Sequence, residues 1–124
     1  MPYRLTREDF TAIAEAALAR IPRTFRKRLK NISIIVEDYP SRKDVLSVGA
    51  TRRDLLGLFV GSGYREKDGF FNAVSLPDKV FLYQRNLERY CSSKEELTEE
   101  IRKTLIHEIG HYFGLSEEEL RRYE

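Results

Sequence analysis

The stretch SKEELTEEIRKTLIHEIGHYFGLSEEEL, residues 93–120, decides how this chain is read. Ser93-Lys94-Glu95-Glu96 has the form of a capping box, a hydroxyl residue three positions ahead of a glutamate. From it Leu97, Ile101, Leu105, Ile109, Tyr112 and Phe113 recur at helical spacing as one apolar stripe. Inside that helix lies His107-Glu108-Ile109-Gly110-His111, which holds both histidines of the chain. Residues four apart on an α-helix are offset by only ~40° and ~6 Å, so both imidazoles can reach one Zn²⁺ at ~2.0–2.1 Å. Measured from Leu105, His107 is turned by ~200° and His111 by ~240°, which aims both away from the apolar stripe. Glu108 can stand beside such an ion without binding it, take a proton from water and pass it to a leaving amine. The bland alternative is a chance motif on an amphipathic helix, each histidine paired with a carboxylate. The spacing favours metal-assisted hydrolysis.

A catalytic zinc site usually has three protein ligands and an open fourth position. Thirteen residues follow His111, so a glutamate from a separate long downstream helix is not expected. Gly114 can take a left-handed C-cap, ending the helix and swinging the tail back. The resulting HExxHxxGxxE spacing makes Glu117 the expected third ligand. Its structural alternative is a first-turn acid in a short terminal helix, since Ser116 and Glu119 form another capping box.

Working outward, Thr6-Arg7-Glu8-Asp9 precedes an apolar series, Phe10, Ile13, Ala14, Ala17, Leu18 and Ile21, that reads as a helix stopped at Pro22. Phe25 and Leu29 suggest a short second helical piece. Asn31 to Glu37 suits a central strand covered on both faces, Ser41 to Arg53 a loop with at most a weak turn or strand near Val45 to Val48, and Leu55 to Gly61 a second strand. The two glycines of that strand call for a bulge or a close backbone approach. Ser62 to Ser75 is expected to close a hairpin into a third strand, Lys79 to Gln84, the candidate exposed edge for an extended peptide. The whole predicts an α+β fold of one domain, residues 1–124, with three to four strands packed on an N-terminal helix and the HExxH helix.

Composition agrees with this. At 124 residues, 41% hydrophobic and 34% charged, the chain has the makings of one globular core. No apolar run reaches the length of a membrane span, and Met1 to Arg7 has no signal-like apolar core, so a cytoplasmic protein is expected. One cysteine, Cys91, cannot form an internal disulfide and reads as a small half-buried residue. A net charge of +2 is too small to argue for nucleic acid. The basic run Arg23, Arg26, Lys27, Arg28 and Lys30 reads as a solvated helix face.

The chain resembles the small bacterial zincin-like proteins called mini-zincins. Their HExxHxxGxxD motif is matched by His107, Glu108, His111 and Gly114, with Glu in place of Asp at 117. The likeness also takes in the Phe10 to Pro22 helix, NISIIVED, LLGLFVG, SLPDKVFLYQRNLE and the EEL before the motif helix. The resemblance implies a minimal zincin fold, one Zn²⁺ held by His107, His111 and Glu117, and a zinc metallopeptidase with Glu108 as general base and a peptide or protein as substrate. Glu117 is one methylene longer than the family's aspartate, which bears on metal affinity. The only methionine is Met1, so there is no Met-turn. Tyr123 is a candidate for that supporting place or for stabilising an oxyanion, its alternative being an aromatic that packs the last turn. A competing reading keeps the fold as a peptide- or protein-binding module, weak or inactive as a catalyst. A metal-dependent ribonuclease of the rRNA-maturation type fits less well, since such sites resemble a three-histidine pattern. No nucleic-acid or membrane partner is expected, and the chain would act as a monomer or homodimer.

Overall fold

A computed structural model describes residues 3–27, 29, 31–61 and 78–123. Helix α1 (Arg7–Ala19) begins where the Thr6 hydroxyl accepts the Asp9 N–H, satisfying one of the donors that a helix start leaves unpaired. After Pro22 a single turn, α2 (Arg23–Arg26), buries Phe25. Strand β1 (Ile32–Glu37), helix α3 (Arg42–Val48), strands β2 (Gly57–Val60) and β3 (Asp78–Tyr83), and helix α4 (Gln84–Arg89) follow. The long helix α5 (Lys94–Tyr112), a turn of helix α6 (Glu117–Leu120) and a 3-10 turn (Arg121–Tyr123) complete the described chain. This is an α+β fold with a mixed three-stranded sheet.

The sheet order is β1-β3-β2, with β3 parallel to β1 and antiparallel to β2. Two sequence expectations are corrected here. The strand at 79–84 is not an edge, because β3 takes the middle of the sheet, and the strand at 31–37 is not central, because β1 lies at the edge of the described strands. Burial gives the reason: Val80, Leu82 and Tyr83 are fully buried, whereas no residue of β1 is. The antiparallel β2–β3 pair fits a hairpin; its connection, Ser62 to Ser75, lies outside the described residues.

Val80 and Leu82 pack with Phe10, Ala14 and Ala17 of α1 and with Leu97, Ile101 and Leu105 of α5. A second cluster joins Ile21 and Phe25 to Ile106, Ile109 and Leu120. Helix α5 therefore buries two faces, one per cluster, and each fully buried Leu or Ile contributes roughly 1.5–3 kcal/mol. What is left of its circumference carries the histidines.

Two helices escaped the apolar pattern. Helix α3 buries none of its residues, so it has no apolar period to find. Its caps fix it: the Ser41 hydroxyl accepts the Asp44 N–H, and Gly49 ends it at φ 69°. Helix α4 buries polar residues, Gln84, Asn86 and Glu88, which look exposed on paper. The Glu88 carboxylate accepts the Leu5 N–H at 2.8 Å, the Gln84 amide at 3.1 Å and Arg85 at 2.7 Å. Those bonds satisfy a charge that would otherwise be costly to bury.

Candidate functional site

Helix α5 ends in a reversal that aims the tail back at the motif. Gly114 is left-handed at φ 80°, its N–H bonds to His111 O at 2.9 Å, and the Leu115 N–H bonds to Gly110 O at 3.0 Å. This is the Schellman pattern, and Gly relieves the penalty that a Cβ meets there. Ser116 and Glu119 then form the reciprocal capping box that starts α6. Leu120, fully buried, lands against Gly110, where a Cβ would come within 2.1 Å of Leu120 Cδ2.

This return places Glu117 at both histidines. Its Oε1 lies 2.7 Å from His111 Nε2 and its Oε2 3.7 Å from His107 Nδ1, and the imidazole centroids are 5.9 Å apart. The expected ligands His107, His111 and Glu117 are thus side by side on a partly exposed surface. Two neutral imidazole nitrogens and a carboxylate make the N,N,O donor set that zinc accepts, so the residues fit such an ion by chemistry. Their present spacing is that of a hydrogen-bonded pair. Among the described residues no three His, Cys, Asp or Glu side chains are arranged to enclose a metal.

Glu108 reaches toward β2 while staying near both histidines. Its carboxylate accepts the backbone N–H of Phe59, and burial raises its pKa above the ordinary carboxylate range, against the pull of that N–H and of His111 and His107. Phe59 has this N–H to offer because β2 is at the edge of the described sheet. The Tyr83 N–H bonds to Leu56 O at 3.0 Å, so by antiparallel alternation Leu58 also turns toward β3 while Gly57 and Phe59 turn their backbone groups outward.

Helix and strand run in step along this edge. Thr104, Glu108 and Tyr112 repeat every four residues on α5, ~6 Å apart, and meet Gly57, Phe59 and Gly61, which repeat every two residues, ~6.7 Å apart. A Cβ on Gly57 would lie 2.8 Å from Thr104 Cγ2, and one on Gly61 would lie 2.2 Å from Tyr112 Cε1. Between them the Tyr112 and Phe59 rings sit 4.4 Å apart. The glycines of LLGLFVG are thus explained by close approach of the motif helix. Tyr112 and Thr104 were missed as site neighbours. The one signal for them was the coincidence of a four-residue helical spacing with a two-residue glycine spacing.

A groove of about 480 Å³ opens beside His107 and Glu108, walled by Glu100, Lys103 and Thr104 of α5 and by Asp54, Leu55, Leu56 and Gly57. Buried Asn86 holds the far wall, its amide donating to Arg52 O at 2.7 Å and to Leu55 O at 2.8 Å. Tyr123 lies away from this groove. Its ring packs on Phe25 with centroids 4.9 Å apart, and its carbonyl accepts from Arg102 at 3.1 Å.

The family profile described as zincin-like metallopeptidase matches residues 29–124, from before β1 to the end of the tail. The chain belongs to this family. As a zincin-like metallopeptidase it falls among peptidases, whose substrates are peptides or proteins. Among curated proteins nothing matches. A solved structure, a conserved hypothetical protein from Thermo thermophilus, is similar at a TM-score of 0.57 and 19% identity, covering 88% of this chain and 94% of that one. At that identity the likeness speaks for the fold alone. In this zincin-like chain no described helix is long and apolar enough to cross a membrane.

Proposed function

We propose that this protein is a zinc-dependent metallopeptidase that cleaves peptides laid along the outer edge of β2. One observation carries the reading: the tail brings Glu117 to His107 and His111, and Glu108, near both histidines, reaches the edge of β2. His107, His111 and Glu117 would hold the ion. Zinc bound there would supply Lewis acidity, polarising a scissile carbonyl and making water a better nucleophile at neutral pH.

The chain's own residues do the rest. An extended substrate adds to β2 as a further strand, using the outward backbone groups of Gly57 and the Phe59 carbonyl for main-chain hydrogen bonds, the Phe59 N–H being held by Glu108. Glu108 takes a proton from the attacking water and delivers it to the departing amine. Its half-buried position suits this, since a carboxyl with a raised pKa holds the proton between the two steps. Tyr123 takes the supporting role: seated on Phe25, it anchors the turn that follows Glu117.

Purified protein loaded with zinc should cleave unstructured peptides, and Glu108→Gln should lower cleavage by roughly 10²–10⁴-fold while stoichiometric zinc is retained. Unchanged cleavage in that variant would sink the proposal. The direct Glu117–His111 hydrogen bond favours a second reading, a peptide-binding module. Equal peptide affinity with and without chelator, and no turnover, would select it.

A further inference from the structure

The groove beside Glu108 runs beyond His107 and Glu108 to residues that neither the proposed metal site nor the proton transfer uses. Glu100, Lys103, Thr104 and His107 share one face of α5, so the groove runs two helical turns, ~10.5 Å, back from the first histidine. Its sides near the motif are apolar or bare, formed by Leu55, Leu56, Gly57 and Thr104. Its ionisable groups are Asp54, Glu100, Lys103, His107 and Glu108.

Lys103 lines the far end as well, one cation against the two carboxylates of Asp54 and Glu100. It stands close enough to Glu99, beside the Glu99–Arg102 pair, to help depress the Glu99 carboxyl, and it makes no ion pair with Glu100 among the described residues. Asp54 accepts the Thr51 hydroxyl at 2.6 Å and has Arg89 at 3.9 Å, which leaves part of its charge facing the groove. Glu100 has no ion pair among the described residues. The far end therefore holds two carboxylates against one lysine, reached along the sides formed by Leu55, Leu56, Gly57 and Thr104.

We infer that this groove is a specificity subsite for a basic side chain of the substrate, with Glu100 as its principal determinant and Asp54 as its second. A lysine or arginine has the matching build: an aliphatic stem to lie on Leu55, Leu56 and Thr104, and a cationic head for Glu100 and Asp54. An acidic side chain meets like charge at the same point. The inference rests on the peptidase reading for its location on the substrate path, but it is tested by binding rather than by turnover.

The probes are two blocked hexapeptides of alanine that differ only in one central residue, Arg or Glu, titrated into ¹⁵N-labelled full-length Glu108→Gln protein. The Arg peptide should bind roughly tenfold tighter than the Glu peptide, shifting the amides of Leu55, Gly57 and Thr104. Adding Glu100→Lys should reverse the order, and Glu100→Gln should bring the two peptides within roughly twofold, both variants melting as the parent does by circular dichroism. Equal affinities, no binding of the Arg peptide, shifts confined to other surfaces, or an Arg preference that survives Glu100→Lys would each overturn the assignment. Cleavage by the zinc-loaded protein is assayed separately. Arg-selective binding without cleavage removes the peptidase reading and leaves the subsite, whereas cleavage indifferent to Arg or Glu removes the subsite and leaves the peptidase.

Discussion

Gly110 and Leu120 are in direct apposition: a Cβ built on the glycine would lie 2.1 Å from Leu120 Cδ2. The second x of HExxH is therefore the seat of the tail helix that carries Glu117. Leu120 is fully buried among Ile106, Ile109 and Phe25, so it has little room to yield.

Gly110→Ala should destabilise the fold by about 1–3 kcal/mol, the usual cost of overpacking a filled core. The tail should loosen with it. Urea denaturation reads the first effect, and a fall in zinc affinity measured against a competing chelator reads the second. A variant as stable as the parent would show that Leu120 repacks freely.

Gly114→Ala and Gly49→Ala form a matched pair. Both glycines are left-handed, at φ 80° and 69°, and neither has an atom within 4 Å of a built Cβ. Each substitution should therefore cost about 1–2 kcal/mol of backbone strain and little else. Zinc affinity should fall for Gly114→Ala alone, because only that turn aims Glu117. Equal metal affinities in the two variants would break the link between the turn and the ligand.

Glu117→Ala should weaken zinc binding strongly, whereas Glu118→Ala, one residue on in the same first turn, should leave it unchanged. The contrast separates a ligand from a helix-start acid, since both residues serve the helix dipole equally. Isothermal titration with Zn²⁺ checks it. Equal small losses would assign Glu117 to the helix.

Cys91 is buried and its thiol is pushed up to about 11 from 9.0, first by burial and then by the Glu100, Glu96 and Glu88 carboxylates. The folded state thus keeps a proton that the unfolded chain releases. This contribution to stability is whole below pH 9.0 and is lost as pH rises toward about 11. Comparison with Cys91→Ala isolates it: across that window the parent should lose more stability than the variant. At neutral pH the thiol should resist a disulfide reagent until the protein is unfolded.

The motif helix, its capping serine, the reversal at Gly114 and the return of Glu117 were legible in residues 93–120, because caps, helical period and left-handed glycines are local physics. The same holds for α1, for the strands as segments, and for the need of a close approach at Gly57 and Gly61. The order of the strands was not legible. Whether Ile32–Glu37 or Asp78–Tyr83 lies in the middle depends on pairing between segments far apart in sequence, and both runs are equally apolar. Nor could polarity show that Gln84, Asn86 and Glu88 are inside, since a buried polar group declares itself only once its partners, here Leu5, Arg52 and Leu55, are brought to it. Tertiary packing likewise decided that Glu108 meets the Phe59 N–H and that an acidic groove runs from His107 to Glu100, because one helix face becomes a wall only when a strand edge is set against it.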